Sequence, residues 1–186
     1  MRIDDAQRDI RQAFLGGFVG QLVSAVLWLV SAALGTWGDH RYAIGVLVFG
    51  GVGIFPLTVL GCRLLGRPPM KAENPLGRLG MQVAFTVPIT LPVVGAAALH
   101  KLNWFYPAFM VVLGAHYMPF VFLYGMRMFY LLAAVLIGAG LALGMYYQQS
   151  FSAGAWLTVA VLFVFAVVGY VIARREEAQI APAASD

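Results

Sequence analysis

Apolar positions along this chain come in six long blocks separated by short polar breaks. The blocks run from Phe14 to Leu34, Tyr42 to Leu60, Leu79 to Leu99, Trp104 to Tyr124, Met128 to Met145 and Ala153 to Ala173. At about 1.5 Å of rise per residue, each is long enough as a helix to cross a hydrocarbon core about 30 Å thick. The breaks at 35–41, 100–103, 125–127 and 146–152 are short, so consecutive helices should be antiparallel neighbours. Only the link around 61–78 is long. The pattern predicts an all-α, polytopic transmembrane bundle of six spans, with residues 1–175 as one transmembrane domain.

The flanks of the blocks carry their own periodicity. Within residues 1–13, Ile3, Ala6, Ile10 and Ala13 share one helical face, with Asp5, Arg8, Asp9 and Arg11 largely elsewhere. That spacing predicts a short N-terminal amphipathic helix lying in the membrane interface and running into the first span. Asn74 followed by Pro75 is a cap and first-turn pair, so the third helix should start there, ahead of the bilayer proper. Residues 176–186 have no apolar period and are expected to form a disordered cytoplasmic tail.

Composition agrees with the pattern. Of the residues, 61% are hydrophobic and 11% charged, against about 45–50% and about 25% in soluble domains. Charge adds direction: Arg2, Arg8, Arg11, Arg63, Arg67, Lys71, Arg78, Arg127, Arg174 and Arg175 fall on one side of the predicted membrane, Arg41 and Lys101 on the other. Ten against two places both termini in the cytoplasm. The net charge of +4 is therefore a topology signal, and with no basic face or nucleic-acid motif no nucleic-acid partner is expected. Ser31 and Ala33 have the spacing of a signal-peptide cleavage site. Asp4, Asp5 and Asp9 and the length of the first block argue against that reading, and cleavage would leave five spans in the same orientation. Cys62 is the sole cysteine, so no intramolecular disulfide forms.

Chemistry inside the blocks is sparse. All eight acidic residues lie outside the apolar blocks, which argues against a carboxylate-coupled pump. His116 is the exception among ionisable groups, since counting from Trp104 puts it roughly 18 Å into the core. It could relay a proton, bond a ligand or serve as an axial ligand; equally, it could be a neutral imidazole bonded to another helix. No second His or Cys stands at ligand spacing, so neither a metal nor a cofactor is expected. Pro56, Pro88, Pro92 and Pro119 interrupt three spans and free the carbonyls of Val52, Ala84, Pro88 and Ala115. Such carbonyls either line a cavity or mark simple kinks.

Polar residues recur at helical spacing as Gly17, Gln21, Ser24, Trp28 and Ser31 in span one, and as Gln82, Thr86 and Thr90 in span three. Both stripes are expected to face protein or an internal cavity, because polar groups facing lipid go unpaired. Gly16 with Gly20 and Gly140 with Gly144 have the spacing of close helix contacts. Span four is aromatic on one face, with Tyr106, Tyr117, Phe120 and Tyr124. This is either packing core or a groove for a lipid tail or quinone, to which His116 or Tyr117 offers a hydrogen bond. The segments IFPLTVLGCR and YMPFVFLYGMR are faintly alike, both leading to an arginine. Arg63 and Arg127 are thereby placed to contact anionic lipid headgroups. Asp39 beside His40 is the only close acid and imidazole pair, in an outer, solvated loop.

The runs FLGGFVGQLVSAVLWLVSA, FGGVGIFPL, NPLGRLGMQ and WFYPAFMVVLGAHYMPFVFLYGM together resemble an uncharacterised family of small bacterial multi-pass membrane proteins, a domain of unknown function. The resemblance implies a bacterial inner membrane and carries over no activity. Three classes of function stay open. One is a small transporter or channel, acting as a homo-oligomer, with a polar interior around spans one, three and four. The second is a non-catalytic membrane subunit, sensor or lipid- or quinone-binding module. The third, an intramembrane lipid enzyme, lacks a buried acid and base pair. In every case membrane lipids are the expected partners.

Overall fold

A computed structural model describes residues 1–180, and every regular element among them is a helix. Six helices are long and apolar enough to cross a membrane. In chain order the elements are α1 (Ile3–Phe14), α2 (Phe18–Trp37), α3 (His40–Gly50), α4 (Ile54–Leu64), α5 (Leu76–Ala84), α6 (Thr86–His100), α7 (Phe105–Tyr117), α8 (Phe120–Tyr124), α9 (Met128–Tyr146) and α10 (Ala153–Ile180). Span one is α2, span two α3 with α4, span three α5 with α6, span four α7 with α8, span five α9 and span six α10.

The inner bundle consists of α2, α7, α9 and α10. Trp28, Tyr106, Met110, Phe129, Leu132 and Leu136 fill it. Where α7 meets α9 the backbones touch: a Cβ on Gly140 would lie 2.7 Å from the Pro107 carbonyl, and one on Gly114 would lie 2.9 Å from that of Ala133. Small residues at such points let two helices approach closely enough to gain dispersion contact along their length. Spans two and three are flanks, the first packed on α2 and the second on α7. Only 17% and 11% of their most apolar stretches are buried, against 50% for span one and 44% for span four.

Spans two, three and four each break just ahead of one proline, while Pro92 lies inside α6. Span two tightens into a 3-10 turn at Gly51–Gly53 before Pro56, span three turns at Phe85 before Pro88, and span four breaks between α7 and α8 at Pro119. The ring clashes with the carbonyl four residues back and offers no N–H, so the preceding turn closes on three-residue bonds instead. Phe85 N–H to the Gln82 carbonyl (3.2 Å) and Met118 N–H to that of Ala115 (3.2 Å) are two of these.

The N-terminus departs from expectation. Span one starts at Phe18 rather than Phe14, because Leu15, Gly16 and Gly17 all have positive φ (50°, 63° and 87°) and turn the chain. Gly16 is required twice over there: its φ suits glycine, and a Cβ would sit 2.5 Å from the Gly169 carbonyl. Past this joint α1 lies against the bundle's end. Ala6, Ile10 and Ala13 are buried on protein while Ile3 is exposed, so the apolar face of this amphipathic helix packs on the bundle.

The C-terminus also differs. Residues 176–180, expected to begin a disordered tail, continue α10 beyond its apolar segment; residues 181–186 lie outside the described residues. Ion pairs from Glu176 and Glu177 back to the N-terminal half support that extra turn.

Candidate functional site

His116 sits one turn before the break at Pro119, on the side of α7 that meets span three. Its Nδ1 lies 2.9 Å from the Thr86 hydroxyl, which in turn donates to the Val83 carbonyl at 2.7 Å. The Phe120 ring stands edge-on at 5.1 Å and the Tyr117 ring at 5.7 Å. Thr86 is exposed and His116 partly so. The pair therefore occupies a seam between α6 and α7 that opens on the outer surface of the bundle. Thr90 turns back on its own helix, donating to the carbonyls of Thr86 and Val87 (2.7 and 3.0 Å). Gln82, one turn from Thr86, is exposed.

The span-three stripe thus borders the surface and not an interior, contrary to the expectation for a polar core shared by spans one, three and four. A threonine hydroxyl in a helix is satisfied by the carbonyl three or four residues back, so it does not have to seek another helix. Pro56, Pro88 and Pro92 are likewise exposed, and Met118 N–H takes the carbonyl of Ala115 that Pro119 frees. Pro56, Pro88 and Pro119 thus mark breaks in their spans, and Pro92 is carried within α6.

Span one behaves differently. Gln21, Ser24, Trp28 and Ser31 are all buried. Ser31 shares a hydrogen bond of 2.7 Å with the Tyr106 hydroxyl and donates to the Ala43 carbonyl at 2.7 Å, tying spans one, two and four together. Both polar atoms of the Gln21 amide lack a hydrogen-bond partner among the described residues. This side chain lies beside Gly17, where an added Cβ would be 3.8 Å from Gln21 Nε2, 3.8 Å from the Tyr124 ring and 3.3 Å from that of Phe129. Aromatic rings connect the two regions: His116 to Phe120 (5.1 Å), Phe120 to Tyr124 (5.7 Å) and Tyr124 to Phe129 (5.2 Å). Tyr117 belongs to the buried part, stacked on Phe129 at 6.2 Å.

The end bearing α1 holds a polar layer that charge counting had located but not connected. Arg11 forks onto Glu176 with two bonds of 2.7 Å and donates a third, of 2.5 Å, to the Tyr124 carbonyl. Arg67 joins Glu177 and the Gln12 carbonyl (2.8 Å), and Gln7 donates to the Phe122 carbonyl at 2.6 Å. Asn74 caps α5 by accepting the Leu76 N–H at 3.0 Å, while its amide donates to Ala6 and Asp9 at 3.0 and 2.8 Å. Glu176 and Glu177 lie past the apolar segment of α10; hydrogen bonds from Arg11 and Arg67 respectively hold their carboxyls below the usual range. An open cavity of about 440 Å³ borders α1 and the long link, between Asp5, Arg8, Asp9 and Lys71.

Arg63 and Arg127 are exposed, with no acidic partner among the described residues. At the opposite end, Asp39 accepts the Arg41 N–H at 2.7 Å as the N-cap of α3, and His40 packs on Phe151 at 4.1 Å. That adjacent pair is structural. Among the described residues, no three His, Cys, Asp or Glu side chains gather where they would hold a metal ion.

Residues 3–172 match the model of DUF7010, a family of unknown function. The chain belongs to the DUF7010 family. No curated protein and no solved structure matches it. The DUF7010 match takes in α1 and nearly all of the six apolar segments, so the seam, the buried stripe and most of the polar end layer fall within the family's extent.

Proposed function

We propose that this DUF7010 protein is a non-catalytic, membrane-embedded binding module for a lipid-soluble molecule, held at the seam between spans three and four with His116 as its hydrogen-bonding group. One observation carries the reading: a polar His116–Thr86 pair lies near the middle of spans three and four and is open sideways, beside the aromatic edge of Phe120. In hydrocarbon a ring nitrogen has no water to bond, so a ligand that supplies the partner gains more there than it would in water. Flat apolar walls with one convergent polar group are the usual make-up of a small-molecule site.

A transport role would need a path to Gln21 and Ser24, and large side chains such as Trp28, Tyr106 and Phe129 occupy the bundle there. The binding module is therefore the better-supported class. With ten of twelve cations gathered at the α1 end, we place that end in the cytoplasm and the chain in a bacterial inner membrane.

Native mass spectrometry of the protein released from mild detergent tests the proposal. A lipid-soluble adduct should accompany the wild type and be retained about tenfold less by His116→Ala, the loss expected for one hydrogen bond worth ~1.4 kcal/mol. Equal retention by both forms overturns it, as does liposome flux that depends on His116.

A further inference from the structure

We infer that the seam selects an amphiphile with a hydroxyl or N–H group at its polar end, because His116 offers that ligand an unprotonated Nε2 acceptor. The inference rests on the binding-module reading and specifies the chemistry of the ligand. Thr86 has one hydroxyl proton and two close neighbours, the Val83 carbonyl at 2.7 Å and His116 Nδ1 at 2.9 Å. A carbonyl can only accept. If the hydroxyl proton pointed at Nδ1 instead, two oxygens would face each other lone pair to lone pair at 2.7 Å. The proton therefore goes to Val83, and the Thr86 oxygen accepts from His116, which places the imidazole proton on Nδ1. A neutral imidazole carries one proton, so Nε2 is bare.

No group among the described residues hydrogen-bonds Nε2, and His116 is partly exposed. Counting from Trp104, that acceptor sits roughly 18 Å into the bilayer, beyond the reach of headgroup water. A phenol, quinol or alcohol hydroxyl would satisfy it while the ring or chain rests against Phe120. A molecule whose polar end holds only carbonyl or ether oxygens would set lone pair against lone pair. Thr86 is thus a specificity-determining residue through its hold on the tautomer, although the ligand bonds His116.

The test uses a matched pair of probes, 4-octylphenol and its methyl ether, on the full-length protein in lipid nanodiscs. Binding is read by the 15N resonances of the His116 imidazole, which report the protonated nitrogen directly. In the wild type the Nδ1-protonated form should be seen, and the phenol should bind about tenfold more tightly than the ether, with the Nε2 resonance moving on binding. Thr86→Val removes the acceptor for the Nδ1 proton and should cut that preference to within about twofold; Thr86→Ser should restore it. An Nε2-protonated ring in the wild type, or equal binding of the two probes at His116, overturns the inference and leaves the binding module standing. If neither probe moves the His116 resonances, the binding-module reading falls as well.

Discussion

The inner spans and the flanking spans solve the same problem, crossing hydrocarbon, in opposite ways. In the inner bundle, glycines bring backbones into contact and large side chains fill what is left, as where Gly140 meets Pro107 and Gly16 meets Gly169. In the flanks, prolines and threonines break or bend the helices, glycines such as Gly95 face open space, and most apolar side chains are exposed. Lipid tails are as apolar as leucine, so a flank gains little by burying its leucines against protein. The close inner packing sets the shape of the bundle. The kinked flank, held less tightly, is where the ligand we propose would reach a polar group from the bilayer without opening the core.

The contrast is broken most sharply by substituting glycine in each region. Gly140→Leu puts a side chain on a backbone carbonyl that cannot yield, 2.7 Å from its Cβ, and should cost ~3 kcal/mol or more, seen as loss of the monodisperse folded peak after mild heating in detergent. Gly95→Ala meets nothing within 4 Å and should change stability by no more than about 1 kcal/mol, in the stabilising direction. Equal losses in the two variants would erase the distinction between an inner bundle and a flank.

A medium effect is expected where α1 and the long link fasten the flanks to the inner bundle. Glu176→Gln removes the charge from the fork that Arg11 makes, and with the Glu176 side chain 27% exposed the loss should be about 1 to 2 kcal/mol near neutral pH. Its carboxyl is held below the ordinary value by the hydrogen bond from Arg11. A depressed folded-state value means that the stabilisation is complete above the unfolded value of about 4.3 and is lost as pH falls through the lower folded value. Thermal unfolding of wild type and variant should therefore differ at pH 7 and converge as pH is taken below about 4. A gap that persists in acid would mean that the contact acts through packing and not through charge.

The spans were legible because a bilayer reads only length and hydrophobicity. The span-one stripe was legible for a related reason: the Gln21 amide cannot satisfy itself on its own helix as simply as a hydroxyl can, so the period it shares with Ser24, Trp28 and Ser31 marks a protein-facing side. The span-three stripe has the same period but misleads, since Thr86 and Thr90 bond carbonyls of their own span. The Arg11–Glu176 fork joins residues 165 apart, and charge counting puts both at one end without pairing them. That pairing is also why the last turn of α10 holds where apolar periodicity has already stopped. The joint at Leu15–Gly17 left only a faint trace, two adjacent glycines in an apolar run that read equally well as helix contact. His116 was legible as an isolated titratable group, but the outward opening of its seam depends on how a proline-kinked helix lies against its neighbour.

The smallest expected effect concerns an imperfection of the inner bundle. Gln21 is 2% exposed, and neither its amide oxygen nor its nitrogen has a partner among the described residues. Each unsatisfied group is a desolvation cost, and an apolar side chain of similar length avoids it. Gln21→Met should therefore raise stability by up to about 1 kcal/mol, measured as a higher unfolding temperature in detergent with the binding behaviour of His116 unchanged. The flexible thioether can follow the path of the glutamine stem past Gly17 and Phe129 without overpacking. A lower unfolding temperature would mean that the amide is satisfied in the membrane by water or another small polar guest. The inner bundle would then carry a polar site of its own, and the contrast with the flank would be one of access and not of chemistry.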